Sequence, residues 1–124
     1  MFRSSRSQTG ADGETLALAY LQKQGLRLVE RNYRVARGPS RRGGEIDLIL
    51  RDRDGTLVFV EVRARASADR GGAAASVTAR KRASLIHAAQ HYLIRLPSPP
   101  PCRFDVLAID GSQIAWLPGA FDAG

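Results

Sequence analysis

GGEIDLILRDRDGTLVFVEVRAR, residues 43–65, decides how this 124-residue chain folds. Two β-rich runs, 45–51 and 57–65, flank the turn-forming DRDG at 52–55, and that pattern predicts a β-hairpin. A loop of Arg53, Asp54 and Gly55 suits a type I turn closed by a left-handed glycine, which pairs Asp52 with Thr56. Counting back along both strands sets Asp47 opposite Glu61 and Glu45 opposite Arg63. Directly opposed side chains share a face, with Cβ atoms about 5 Å apart. A one-residue slip would send the two acids to opposite faces.

The flanking residues make these acids unusual. Ile46, Leu48 and Leu50 are expected to fill one face of the first strand, and Val58, Val60 and Val62 one face of the second. Ile49, Leu57 and Phe59 occupy the opposite faces, so both sides of the hairpin read as covered. Two carboxylates gathered at one end of a buried hairpin must share a proton or be neutralised by a cation. Oxygen ligands and compact negative charge suit Mg²⁺ or Mn²⁺. Salt bridges to strand arginines are the competing explanation.

Working outward, Thr9 and Asp12 have capping-box spacing, so a helix is expected from there to Gln24, with Gly25 at its C′ position and residues 1–8 frayed. Glu14 shares a helix face with Ala17, Leu18 and Leu21. It is either a further ligand beside the hairpin acids or a first-turn acid favoured by the helix dipole. Residues 26–35 read as a strand, and 36–44 as a loop holding Arg37, Arg41 and Arg42. After a small-residue loop at 66–76, a second helix is expected over 77–95, with Leu85, Ala88, Ala89, Tyr92 and Leu96 on its apolar face. Residues 102–109 and 113–117 complete an αβββαββ order in one α/β domain, 1–124.

The formal net charge is +7, and seventeen of the 19 basic residues are arginine. A biased codon supply explains arginine in place of lysine but not the excess of base over acid, which favours a polyanionic partner, nucleic acid above all. Arg80, Lys81 and Arg82 crowd the start of the second helix, where they oppose the dipole unless an anion binds. With Arg37, Arg41 and Arg42 they form the candidate DNA-backbone contacts, the solvated charge run being the alternative. His87 and His91 stand one helical turn apart but lack an acidic metal-site context. Trp116, Phe104 and Phe121 read as core or as a dimer surface. Cys102 is the single cysteine, no run is long enough to span a membrane, and residues 1–10 lack a signal-peptide pattern. A cytoplasmic protein is the expectation.

The combination of "GE" (13–14), "GGEIDLI" (43–49), "VFVEVRAR" (58–65), "GGAAASVTARK" (71–81) and "CRFDVLAI" (102–109) closely resembles the YraN-like family, whose members are assigned as endonucleases by similarity. That family is similar to the PD-(D/E)xK nucleases, with the restriction-endonuclease-like fold shared by archaeal Holliday-junction resolvases. The resemblance runs from about Asp12 to Trp116. It implies a mixed sheet flanked by helices, Mg²⁺ or Mn²⁺ as cofactor, and DNA, including branched DNA, as substrate. A homodimer is compatible with it. It also implies metal ligands at Glu14, Asp47, Glu61 and the Val62 carbonyl, with Arg63 at the motif's lysine position. Arginine stays protonated and cannot be a general base, but it can donate to a phosphate. The alternatives are a nucleic-acid-binding module without turnover and an accessory protein that binds an acidic partner.

Overall fold

The computed structural model of the protein describes residues 5–36, 43–65 and 77–122, with side chains from residue 13 onward except that of residue 65. The element order is α1 (Ser5–Lys23), β1 (Arg27–Val35), β2 (Gly44–Arg51), β3 (Leu57–Arg65), α2 (Ala79–Ile94), β4 (Cys102–Asp110) and β5 (Gln113–Phe121). The strands form one sheet in the order β1-β2-β3-β4-β5. Only β3 and β4 run parallel, joined by the crossover that contains α2. The result is an α/β fold with a mixed sheet and the expected αβββαββ order, consistent with a restriction-endonuclease-like core.

One helix covers each face. Ala17 and Leu21 of α1 pack with Leu48, Leu50, Val58, Val60, Leu107 and Ile109. Leu85, Ala88, Ala89 and Tyr92 of α2 pack with Tyr33, Ile46, Ile49, Leu57, Phe59 and Phe104 on the other side. Both hairpin faces are therefore buried, as the apolar pattern on each required. Tyr92 is core, edge-on to Tyr33 and Phe59.

The hairpin turn forms as the DRDG sequence predicts. Asp52 N–H donates to Thr56 O at 2.9 Å, and Gly55 has φ 91°. The β2–β3 ladder pairs Arg51 with Leu57, Leu50 with Val58, Ile49 with Phe59 and Leu48 with Val60, and Asp47 and Glu61 lie next in the same register.

Several expectations are corrected. α1 begins at Ser5, so neither Thr9 nor Asp12 marks its start, and Glu14 lies in mid-helix rather than in the first turn. Its C-terminus is as expected: Leu26 N–H bonds Leu21 O and Gly25 N–H bonds Gln22 O, a Schellman closure. α2 starts at Ala79 because Thr78 caps it, accepting from Lys81 N–H. β5 continues past Leu117 to Phe121, since an edge strand tolerates a proline that a central strand would not. Ile46 does not share a face with Leu48 and Leu50 but joins the α2-side cluster. Strand β2 therefore turns over at Asp47.

Gly44, where β2 begins, meets the backbone of α2. A Cβ there would come within 2.7 Å of Ser84 O and 3.0 Å of Ala88 N. Backbone atoms cannot swing aside, so Gly44→Ala is expected to cost about 1–3 kcal/mol. Its melting temperature should fall by several degrees, whereas a substitution at open Gly55 would meet no such contact.

Candidate active site

Asp47 stands where the β2–β3 ladder stops. If it continued, Val62 would exchange both backbone bonds with Ile46. Instead Val62 N–H donates to Asp47 Oδ2 at 2.8 Å, so the carboxylate replaces the strand's own acceptor. A strand residue's N–H and C=O point to the same side, so the Val62 carbonyl also faces this gap rather than β4.

Glu61 is 3% exposed and adjoins Asp47. Two cations close on its Oε2, Arg63 Nη1 at 3.3 Å and Lys81 Nζ at 3.6 Å. Lys81 arrives from the first turn of α2, so the helix supplies an ammonium to a strand motif that carries arginine. Burial, then the neighbouring Glu61 charge, push the Asp47 carboxyl up from 3.8 to about 7, while the Val62 N–H opposes them. Two carboxylates and two cations balance in formal charge, but both cations close on Glu61, while buried Asp47 takes its hydrogen bond from Val62 N–H.

Glu14 approaches from α1. Its carboxyl is raised, first by burial and then by the charge of Asp47. Arg31 Nη2 lies 3.7 Å from its Oε1, and the Asn32 amide, oriented with its nitrogen as donor, reaches Oε2 at 3.2 Å and Oε1 at 3.3 Å. Among the described residues, no three histidine, cysteine or acidic side chains stand close enough to hold a metal ion between them. The structure thus brings Asp47 and Glu61 together and holds Glu14 within electrostatic range, engaged by β1. The donor chemistry fits a hard divalent ion: oxygen ligands, two adjacent acids and a carbonyl turned into the gap. Closing a three-acid set would require movement of the Glu14 side chain.

Other expectations resolve differently. Glu45 is not beside Arg63, because the ladder has ended; it pairs with Arg34 of β1 at 3.4 Å. An open groove of about 510 Å³ starts there, lined by Arg34, Val35, Ala36, Gly43, Gly44, Glu45 and Ser84. Arg80 and Arg82 are exposed in the first turn of α2, with Arg82 Nη1 donating to Val77 O. Arg37, Arg41 and Arg42 lie outside the described residues. His91 Nδ1 and the Tyr33 hydroxyl share a hydrogen bond of 2.9 Å, and among the described residues neither His87 nor His91 belongs to a group of three metal-ligating side chains.

One buried acid escaped the sequence reading. Asp105 is fully buried in β4, where Arg103 Nε and Gly119 N–H donate to Oδ1 and Trp116 Nε1 to Oδ2. Arg103 also reaches Asp52 at 2.9 Å, tying β4 to the hairpin turn. Every donor is supplied within the fold, so this is a structural node that ties β4 to β5 and, through Arg103, to the hairpin turn. Trp116 is accordingly partly buried, edge-on to Tyr20.

No helix among the described residues is long and apolar enough to cross a membrane. Comparison with known proteins places residues 13–109 within the model of UPF0102, described as an uncharacterised protein family. The chain is 68% identical over 114 residues to a UPF0102 protein of Methylibium petroleiphilum, covering 92% of this chain and 93% of that one. It is 59% identical over 122 residues to one of Paracidovorax citrulli, covering 98% and 88%. A third, from an Acidovorax strain, is 58% identical over 121 residues, covering 98% and 89%. The matched span contains Glu14, Asp47, Glu61 and Lys81 together, and with that coverage the chain belongs to UPF0102, the YraN-like family.

Proposed function

We propose that the protein is a metal-dependent endonuclease that hydrolyses phosphodiester bonds in DNA, with branched or structured DNA among its substrates. The observation that carries this reading is the Asp47–Glu61 pair, two acids brought together where the β2–β3 ladder stops, with burial and then the Glu61 charge raising the Asp47 carboxyl to about 7. Asp47, Glu61 and the Val62 carbonyl would hold Mg²⁺ or Mn²⁺, with Glu14 as the ligand from α1. When bound, such an ion lowers the pKa of a coordinated water and offsets charge on the phosphate.

The remaining roles fall to this chain's own cations. Arg63, always protonated, is suited to hold a phosphate oxygen in bidentate fashion. Lys81, near Glu61 and at a helix N-terminus, offers a second donor to the same phosphate. Arg80 and Arg82 extend that positive edge along the DNA backbone, and Arg37, Arg41 and Arg42, outside the described residues, are further candidates. Binding would weaken steeply with salt, because each neutralised phosphate releases counterions.

A non-catalytic nucleic-acid-binding module is the second reading, favoured by the engagement of Glu14 with Arg31 and Asn32. Supercoiled plasmid and a four-way junction incubated with Mn²⁺ separate the two. The nuclease cuts at least one of them, stops with EDTA, and stops when Asp47→Ala is made. A binding module retards both DNAs equally with EDTA present and cuts neither.

A further inference from the structure

We infer that Asn32 is a positioning residue of this site, turning β1 over beside Asp47 and keeping the Glu14 carboxylate within electrostatic range of it, from where a short side-chain movement would close on a metal. This rests on the metal-site reading given above and adds a residue to it.

The backbone gives the first reason. Among the described residues, Asn32 is the one non-glycine with positive φ, at 53°. A left-handed residue inside a strand is costly for most side chains, and asparagine is among the few that tolerate it. Such conformations persist where surrounding structure enforces them, often at functional sites.

The register gives the second. Arg31 pairs with Leu48 and Tyr33 with Ile46, which sets Asn32 across from Asp47. Leu48 belongs to the α1-side cluster, whereas Tyr33 and Ile46 belong to the α2-side cluster. Arg31 reaches Glu14 on α1, while Tyr33 packs on α2. Residues two apart in a regular strand share a face, yet these do not, in β1 or in β2. The two strands therefore turn over together at the Asn32–Asp47 position. That shared turn takes Asp47 out of the regular ladder and frees its carboxylate to accept from Val62 N–H.

The side chain gives the third. Asn32 donates to both Glu14 oxygens, at 3.2 and 3.3 Å. Both side chains are exposed, but the Arg31 contact is longer, at 3.7 Å to one oxygen, whereas the amide reaches both. The shorter contact to both oxygens makes the amide the group that orients the carboxylate. One residue thus sets both the strand geometry at Asp47 and the direction of Glu14.

Substitutions separate the two effects. Asn32→Gly keeps the left-handed backbone without cost and removes the amide; Asn32→Ala removes both. Mn²⁺ titrated into the full chain, followed by loss of the free-ion electron paramagnetic resonance signal, reads the site without any activity. Asn32→Gly is expected to melt within a few degrees of wild type and to weaken Mn²⁺ binding about tenfold, as loss of a ligand-orienting partner does. Asn32→Ala should lower both melting temperature and Mn²⁺ affinity. Unchanged Mn²⁺ affinity in a folded Asn32→Gly protein overturns the inference. Should wild type itself bind no Mn²⁺, the metal reading falls, and the Asn32 side-chain amide resonances decide the rest. Their displacement in Glu14→Gln keeps the positioning role, and their constancy overturns it.

Discussion

Asp105→Ala is expected to destabilise the protein by about 3–5 kcal/mol, since each buried donor left without its acceptor costs about 1–3 kcal/mol. The carboxylate is fully buried and takes hydrogen bonds from Arg103, Trp116 and Gly119. Truncation takes one of its two carboxylate partners from Arg103 and the acceptor from an indole N–H and a backbone N–H. The loss spreads, because Arg103 also anchors Asp52 at the hairpin turn and Gly119 fixes the irregular end of β5. In a domain of this size the melting temperature should drop by roughly 10 °C or more. Asp105→Asn, which keeps the shape and loses the charge, should fall between alanine and wild type. A drop under about 2 °C for alanine would show that the network contributes little.

The second large effect has the opposite sign. At pH 8, without divalent metal, Asp47→Asn is expected to melt higher than wild type. The folded state raises the Asp47 carboxyl from 3.8 to about 7, so folding favours its protonated form. That contribution is complete below about pH 4 and is lost as pH rises through about 7. Above it, the ionised Asp47–Glu61 pair costs on the order of 2–4 kcal/mol. Asparagine still offers an oxygen to Val62 N–H and removes the charge. Wild-type stability should therefore fall between pH 5 and pH 8 in chelator and recover when Mn²⁺ is added at pH 8. The variant should show a flatter pH profile and little recovery. Its cleavage activity should fall by a hundredfold or more, a site that trades stability for function. Equal pH profiles for the two proteins would remove the electrostatic basis of the site.

How far these features could be read from residues alone depends on their range. The hairpin register was legible because Asp52–Gly55 specifies a turn with a fixed count, and that count places Asp47 and Glu61 together. The apolar face of α2 was legible from helical spacing, and the element order from the alternation of strand and helix patterns. Asn32 was not, since a left-handed residue within a strand leaves no periodic mark. For the same reason, the face change at Asp47 was missed: period-two counting carries Ile46 onto the wrong side. Asp105 looked like any strand residue, because its partners come from Arg103, Trp116 and Gly119 through pairing that only the folded sheet creates. The close approach of α1 to β3 left no mark in the sequence either: a Cβ on Gly13 would crowd Ala64 at 3.1 Å. Lys81 at Glu61 needed the crossover that returns α2 over the sheet.

Calorimetric titration of Mn²⁺ into the metal-free protein at pH 8 tests the central claim most directly, that Asp47 and Glu61 form a site that requires a divalent cation. Wild type should bind, and binding should vanish in both Asp47→Ala and Glu61→Ala while those proteins remain folded. Absence of Mn²⁺ binding by wild type, or binding that survives loss of either acid, would contradict the account.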